Sequence, residues 1–124
     1  MRQVRRFVGL IVVALVLTPL LASCAAAPTD RLDASTATVI DVRTPAEYAD
    51  GHLDGADNID LQSGSFAAEV SALPVDASYI VYCRSGNRSA QAVEVMRQAG
   101  LTQVVDAGSM AAAAERTGLA VVVG

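Results

Sequence analysis

Residues 78–100 read SYIVYCRSGNRSAQAVEVMRQAG, Ser78 to Gly100, and the order of chemistry along them sets the architecture. The run from Tyr79 to Cys83 is apolar and rich in β-branched and aromatic residues, the composition of a central strand covered on both faces. Arg84 to Asn87 then makes a short polar loop around Gly86. Beyond it, Ala92, Val93, Val95, Met96 and Ala99 gather on one side of a helix and Gln91, Glu94 and Gln98 on the other, with Gly100 as the stop. Working outward, Thr38–Val42 (TVIDV) and Gln103–Asp106 (QVVD) are further short apolar runs, Ala56–Ile59 (ADNI) is a brief one, and Phe66–Leu73 has helical character. Apolar runs alternating with helices predict an α/β domain, a small parallel sheet with helices on both faces.

The stretch DVRTPAEYADG, Asp41–Gly51, predicts a well-punctuated short helix. Thr44 is its N-cap, Pro45 its first residue, Glu47 the reciprocal partner of a capping box, and Gly51 a left-handed exit. Chain length of 124 residues allows one such domain and no second. The mean hydropathy of +0.40 overstates the core, because much of it comes from the first 24 residues. There Arg2, Arg5 and Arg6 precede an apolar stretch, Phe7–Leu21, of the length and polarity of an export signal. Leu21-Ala22-Ser23-Cys24 resembles the bacterial lipobox, which implies cleavage before Cys24 and lipidation of its thiol. An uncleaved anchor is the alternative, since Phe7–Ala27 is long enough to span a bilayer. In both cases the arginines stay cytoplasmic and the rest of the chain lies outside. The expected organisation is a signal peptide over 1–23, a small, polar, aperiodic tether over 24–37, and the domain over 38–124.

From residue 24 onward the chain has six arginines, no lysine and thirteen acidic residues, a formal charge of −7. Nucleic acid, whose phosphates need clustered cations, is excluded as a partner. Anionic lipid is mildly repelled as well, so membrane attachment falls to acyl chains at Cys24.

Two cysteines, Cys24 and Cys83, and one histidine, His52, leave neither a disulfide framework nor a closed zinc site, and no metal or cofactor is expected. Cys83 would end its strand at the carboxyl edge of the sheet, where open α/β sheets bind ligands. The loop after it would turn successive N–H groups inward as an anion-binding nest at a helix N-terminus. A thiol in such a nest falls from about 8.5 to roughly 3.5–7.5 and is a standing nucleophile at neutral pH. Gly86 and Asn87 would supply positive φ for the loop, Arg84 would attract an anion, and Ser85 completes the loop. Arg88 belongs to the same binding loop and reads as a brace to Asp41 or another acid. Asp41 and His52 read as partners of backbone groups, and Tyr48, Phe66 and Met96 as core.

These residues resemble the rhodanese family of sulfurtransferases, in particular its short single-domain periplasmic forms. The resemblance spans Val39 to Gly118 and rests on VIDVRTPAEYADGHLDGADNID, Val39–Asp60, followed at the family's separation by the active loop CRSGNRS, Cys83–Ser89. It implies transfer of sulfane sulfur, from thiosulfate or a related donor to a thiol or cyanide, through a persulfide on Cys83. Arg84, Ser85, Gly86, Asn87 and Arg88 would bind substrate, with the N–H groups holding the persulfide and Arg84 touching the donor. Tyrosine phosphatases are the rival class, but their arginine falls six positions after the cysteine, where this chain has Ser89. A carrier of sulfane sulfur without turnover is the other alternative. The chain departs from the family in its short N-terminal region, which predicts a missing strand and an exposed sheet edge. It also has Ala107-Gly108 in place of Gly-Gly and lacks a downstream tryptophan. The closing LAVVVG, Leu119–Gly124, is expected to add a strand on that edge.

Overall fold

The computed structural model describes residues Asp30 to Gly124, so the export segment, Cys24 and the first part of the tether lie outside the described residues. The elements are β1 (Thr38–Asp41), α1 (Pro45–Asp50), β2 (His52–Leu53), β3 (Asp57–Asn58), α2 (Phe66–Ser71), β4 (Ser78–Cys83), α3 (Asn87–Gln98), β5 (Gln103–Ser109), α4 (Met110–Thr117) and β6 (Val121–Val122). Four strands pair in parallel in the order β3-β1-β4-β5. The expected α/β class with helices on both faces is the fold the chain adopts.

The apolar run of β4 is resolved by the pleat. Tyr79, Val81 and Cys83 face a core shared with Phe66 and Val70 of α2 and Ala92, Val93 and Met96 of α3. Ile80 and Tyr82 face the other core, with Ala113 of α4, Leu53 and Ala107. A strand enclosed on both sides cannot alternate polar with apolar, which is why the sequence shows a continuous run. Burial of each large side chain contributes about 1.5–3 kcal/mol, enough for β4 to anchor the loop it carries.

Several local expectations change on contact with the fold. Part of the expected tether packs on the domain: Leu32, Ala34 and Ala37 lie against the α4-side core, and Leu32 N–H donates to the Arg116 carbonyl at 2.9 Å. Helix α2 stops at Ser71, two residues short of Leu73, because a residue preceding proline, here Pro74, is pushed out of helical geometry. Gly51 ends α1 at φ 153°, ψ 132°, not in the left-handed region, since the chain must run straight from helix into β2. The terminal segment does form a strand, but β6 pairs antiparallel with β2 and not with the sheet edge. Gly118, left-handed at φ 76°, turns the chain back after α4, and Asp54 N–H to the Ala120 carbonyl at 2.9 Å fixes the register against β2. Strand β5 accordingly remains an edge among the described residues, with Val105 exposed.

Candidate active site

Helix α1 sets one wall of the site. Thr44 accepts the Glu47 N–H at 3.3 Å and Glu47 accepts the Thr44 N–H at 3.1 Å, the reciprocal capping box expected from the sequence. Just before it, Asp41 and Arg43 are both buried and paired. The Arg43 Nη2 lies 2.6 Å from Asp41 Oδ2 and Nε 2.9 Å from Oδ1, while the Arg43 main-chain N–H also donates to Oδ1 at 2.9 Å. Arg43 Nη2 further donates to the Gly51 carbonyl at 2.6 Å, tying the start of the α1 segment to its end. The expectation that Asp41 serves backbone donors therefore holds, with a guanidinium added. His52 bonds the Tyr48 carbonyl through Nδ1 at 2.9 Å and stacks on the Tyr48 ring at 3.6 Å, a wholly structural set of contacts.

Cys83 ends β4 with no exposed surface, and the loop of Arg84, Ser85 and Gly86 turns over it into α3. Gly86 adopts φ 102°, ψ −17°, where a side chain is disfavoured, and this turn points its N–H at Cys83 Sγ, 2.9 Å away. Asn87 does not share that role: it opens α3, and no residue other than glycine has positive φ among those described. One left-handed residue suffices to reverse the chain, and the helix claims the next.

The loop rests on the end of β5. A Cβ at position 86 would lie 3.7 Å from Gly108 Cα, so the second residue of the Ala107-Gly108 pair is the one beneath the loop. A register shift between Val81 and Tyr82 turns the Ala107 side chain into the opposite core instead. The alanine is thus accommodated without crowding the loop.

Ser89 is the residue that the sequence reading passed over as a contributor. It is fully buried on the first turn of α3, its Oγ 3.6 Å from Cys83 Sγ, and it donates to the Gly86 carbonyl at 3.0 Å. The helical stripe of Ala92, Val93 and Met96 extends back to position 89, and a polar residue on an otherwise apolar stripe was the available signal. Burial pushes the Cys83 thiol up, but the Ser89 N–H and hydroxyl and the N–H groups of Gly86 and Ser85 outweigh it and leave the thiol below its ordinary value. The cradle expected from the sequence is present, with Ser89 as an unforeseen member.

The two loop arginines differ. Arg84 is exposed and makes no ion pair or hydrogen bond among the described residues. With Arg43, Glu47, Asp50 and Met110 it lines a cavity of about 290 Å³ beside the loop. Arg88 turns to Glu47 in a bidentate pair, Nη1–Oε2 2.7 Å and Nη2–Oε1 2.8 Å, so its acid is Glu47 and not Asp41. A larger cavity of about 370 Å³ lies at the opposite end of the sheet among Leu32, Ser78, Thr102 and Gln103, far from the thiol.

Comparison with known proteins agrees with this geometry. Residues 26–114 match the family model described as "Rhodanese-like domain". A sulfurtransferase of Allochromatium vinosum is 34% identical over 90 residues, covering 73% of this chain and 82% of that protein. Thiosulfate sulfurtransferase PspE of Escherichia coli is 35% identical over 71 residues, covering 57% and 68%. A solved structure described as rhodanese with anions from E. coli superposes with a TM-score of 0.58 at 31% identity, covering 70% of this chain and 98% of that one. A buried thiol bonded by a loop amide at the carboxyl edge of a parallel sheet, in a chain matched over most of its length by one family model, identifies this protein as a member of the rhodanese-like domain family, whose homologues here are named sulfurtransferases.

Proposed function

We propose that the protein is a sulfurtransferase that carries sulfane sulfur on Cys83. The Cys83 thiolate attacks the outer sulfur of an anionic donor such as thiosulfate. The donor's S–S bond breaks, its electron pair leaves with sulfite, and Cys83 becomes a persulfide; a thiol or cyanide then takes the outer sulfur and returns the thiolate. No electrons are gained or lost overall and no metal or cofactor takes part. The observation that carries this reading is the Gly86 N–H held 2.9 Å from Cys83 Sγ, an amide already aimed at sulfur's negative charge. Ser85 and Ser89 add donors to the same cradle. Arg84, exposed beside the loop, supplies local attraction for the donor anion against the chain's net negative charge. Gly86 shapes the loop, Asn87 starts the helix at which it ends, and Arg88 braces it to α1. The substrate named for the E. coli relative and the anions named for the solved E. coli rhodanese are of the class this cradle suits.

Treatment with thiosulfate followed by intact-mass measurement tests the chemistry. The expected result is a gain of one sulfur at Cys83, lost on adding a thiol or cyanide, with thiocyanate formed catalytically in the second case. Sulfur gained and released only once would favour the carrier alternative, and no gain would overturn both.

We further propose that Cys24 is lipidated and holds the domain on the outer side of a bacterial cell membrane, in support of which stand the basic n-region, the apolar stretch and the lipobox. Cys24→Ser is expected to accumulate as the uncleaved, unacylated precursor, read by intact mass. Unchanged processing would reject lipidation.

A further inference from the structure

The Glu47–Arg88 pair joins α1 to the first turn of α3, the turn that carries Ser89 against Cys83 Sγ. Arg88 is the second residue of α3, next in the chain to Ser89, whose Oγ lies 3.6 Å from Cys83 Sγ. The guanidinium is nonetheless committed sideways to the carboxylate of α1, at 2.7 and 2.8 Å. Glu47 is itself fixed: its Oε2 accepts the Thr44 N–H and hydroxyl, both at 3.1 Å. Side-chain exposure of 22% for Arg88 and 27% for Glu47 leaves the pair sheltered enough for its charges to act locally.

The other charged and titratable groups around the site do not substitute for this pair. From the end of β1 come Asp41 and Arg43, which neutralise each other. From α1 comes also Asp50, and from the loop Arg84, both exposed to solvent screening. Tyr82, next to Cys83 on β4, is buried and stays neutral because burial pushes its hydroxyl up.

We propose that Glu47 is a positioning residue that offsets the charge of Arg88 and thereby sets the basicity of Cys83, leaving the amide cradle as its main stabiliser. The proposal rests on the sulfur-transfer reading for its purpose. A thiolate attacking a donor loses nucleophilicity as its basicity falls, by about 10 to the power 0.4–0.5 per pH unit, while the same fall makes it a better leaving group for the acceptor step. Once the thiol is ionised at neutral pH, further stabilisation by a free guanidinium slows the first step with no gain in thiolate. Glu47 prevents that.

The test is the pH dependence of Cys83 alkylation by iodoacetamide, a neutral probe that Arg84 and Arg88 do not recruit, followed at the Cys83 peptide in the full chain. Glu47→Gln, which keeps the capping box in amide form, is expected to lower the midpoint by about half to one pH unit and the high-pH plateau rate roughly two- to threefold. Arg88→Gln leaves the Glu47 charge uncompensated and raises the midpoint by a similar amount. The double variant and Glu47→Asp are expected to return close to the parent. A simple brace predicts something different, that both single variants loosen the loop and move the midpoint the same way; that result, or no shift in either, overturns the proposal. Opposite shifts in a protein that takes no sulfur from thiosulfate would instead uphold the charge relation and reject the proposed activity.

Discussion

On the proposed function, Cys83→Ser is expected to form no persulfide and to lose sulfur transfer by on the order of 10³-fold or more, because an alkoxide is not available at neutral pH and serine cannot hold a sulfane sulfur in exchange with thiols. The loss is chemical, and the structure predicts that the fold survives it. Cys83 is fully buried, and the Gly86 N–H bonds its sulfur at 2.9 Å. A serine hydroxyl at the same position accepts that N–H in place of sulfur and meets Ser89 Oγ, so no buried donor is orphaned. Stability is expected to change by about 1–2 kcal/mol, read as a small displacement of the denaturant midpoint at unchanged slope. Alanine would be a poorer control, since it strands the Gly86 N–H beneath the loop and mixes loss of the nucleophile with loss of loop geometry. Thiocyanate formation by the serine variant at the parent rate would remove Cys83 from the mechanism.

What could be read in advance divides along a physical line. The strand ending in Cys83, the amphipathic α3 and the capped α1 were legible because each is written in local periodicity or in end chemistry: an apolar run, a 3.6-residue stripe, a Thr-Pro-x-Glu start. Partnership across the fold was not. The acid that holds Arg88 lies 41 residues upstream, and only the packing of α1 beside α3 decides between Glu47 and Asp41. Strand β6 was visible as an apolar run, yet its pairing with β2 depends on where α4 delivers the chain, which a periodicity of two does not encode. The packing of residues 32–37 escaped for a similar reason: single apolar residues such as Leu32 among polar neighbours carry no period, and they are buried because α4 ends beside them. Ser89 sits on a legible stripe, but its approach to Cys83 Sγ depends on the loop folding back over the strand end, which the stripe does not encode.

Motif residues that do not touch Cys83 Sγ hold the frame around it. Asp41 has no exposed surface, and four hydrogen bonds from Arg43 converge on its two oxygens, at 2.9, 2.9, 3.1 and 2.6 Å. Its own carbonyl accepts from Ile59 N–H at 3.0 Å and Asn58 Nδ2 at 3.0 Å, so the residue joins β1 to the chain leaving β3. Arg43 meanwhile lies 5.8 Å above the Tyr82 ring and bonds the Gly51 carbonyl, so the pair links the strand before Cys83 to both ends of α1. Asp41→Asn keeps the shape and removes the charge. The guanidinium, only 5% of its residue's surface exposed, is left in a low-dielectric site facing an amide that offers one acceptor where there were two. Breaking a buried pair from one side costs about 3–5 kcal/mol, against a total of roughly 5–15 kcal/mol for a domain. The expected outcome is a melting temperature lower by at least about 12 °C, since each kcal/mol displaces it by roughly 4–8 °C in a domain of this size. Removing both charges together, as Asp41→Leu with Arg43→Met, should recover a large part of that loss, because the cost lies in the stranded cation and not in the absence of an attraction. A double variant as unstable as Asp41→Asn would mean instead that the backbone bonds to the Asp41 carboxylate and the Gly51 carbonyl, not the compensation of charge, hold this corner of the site together.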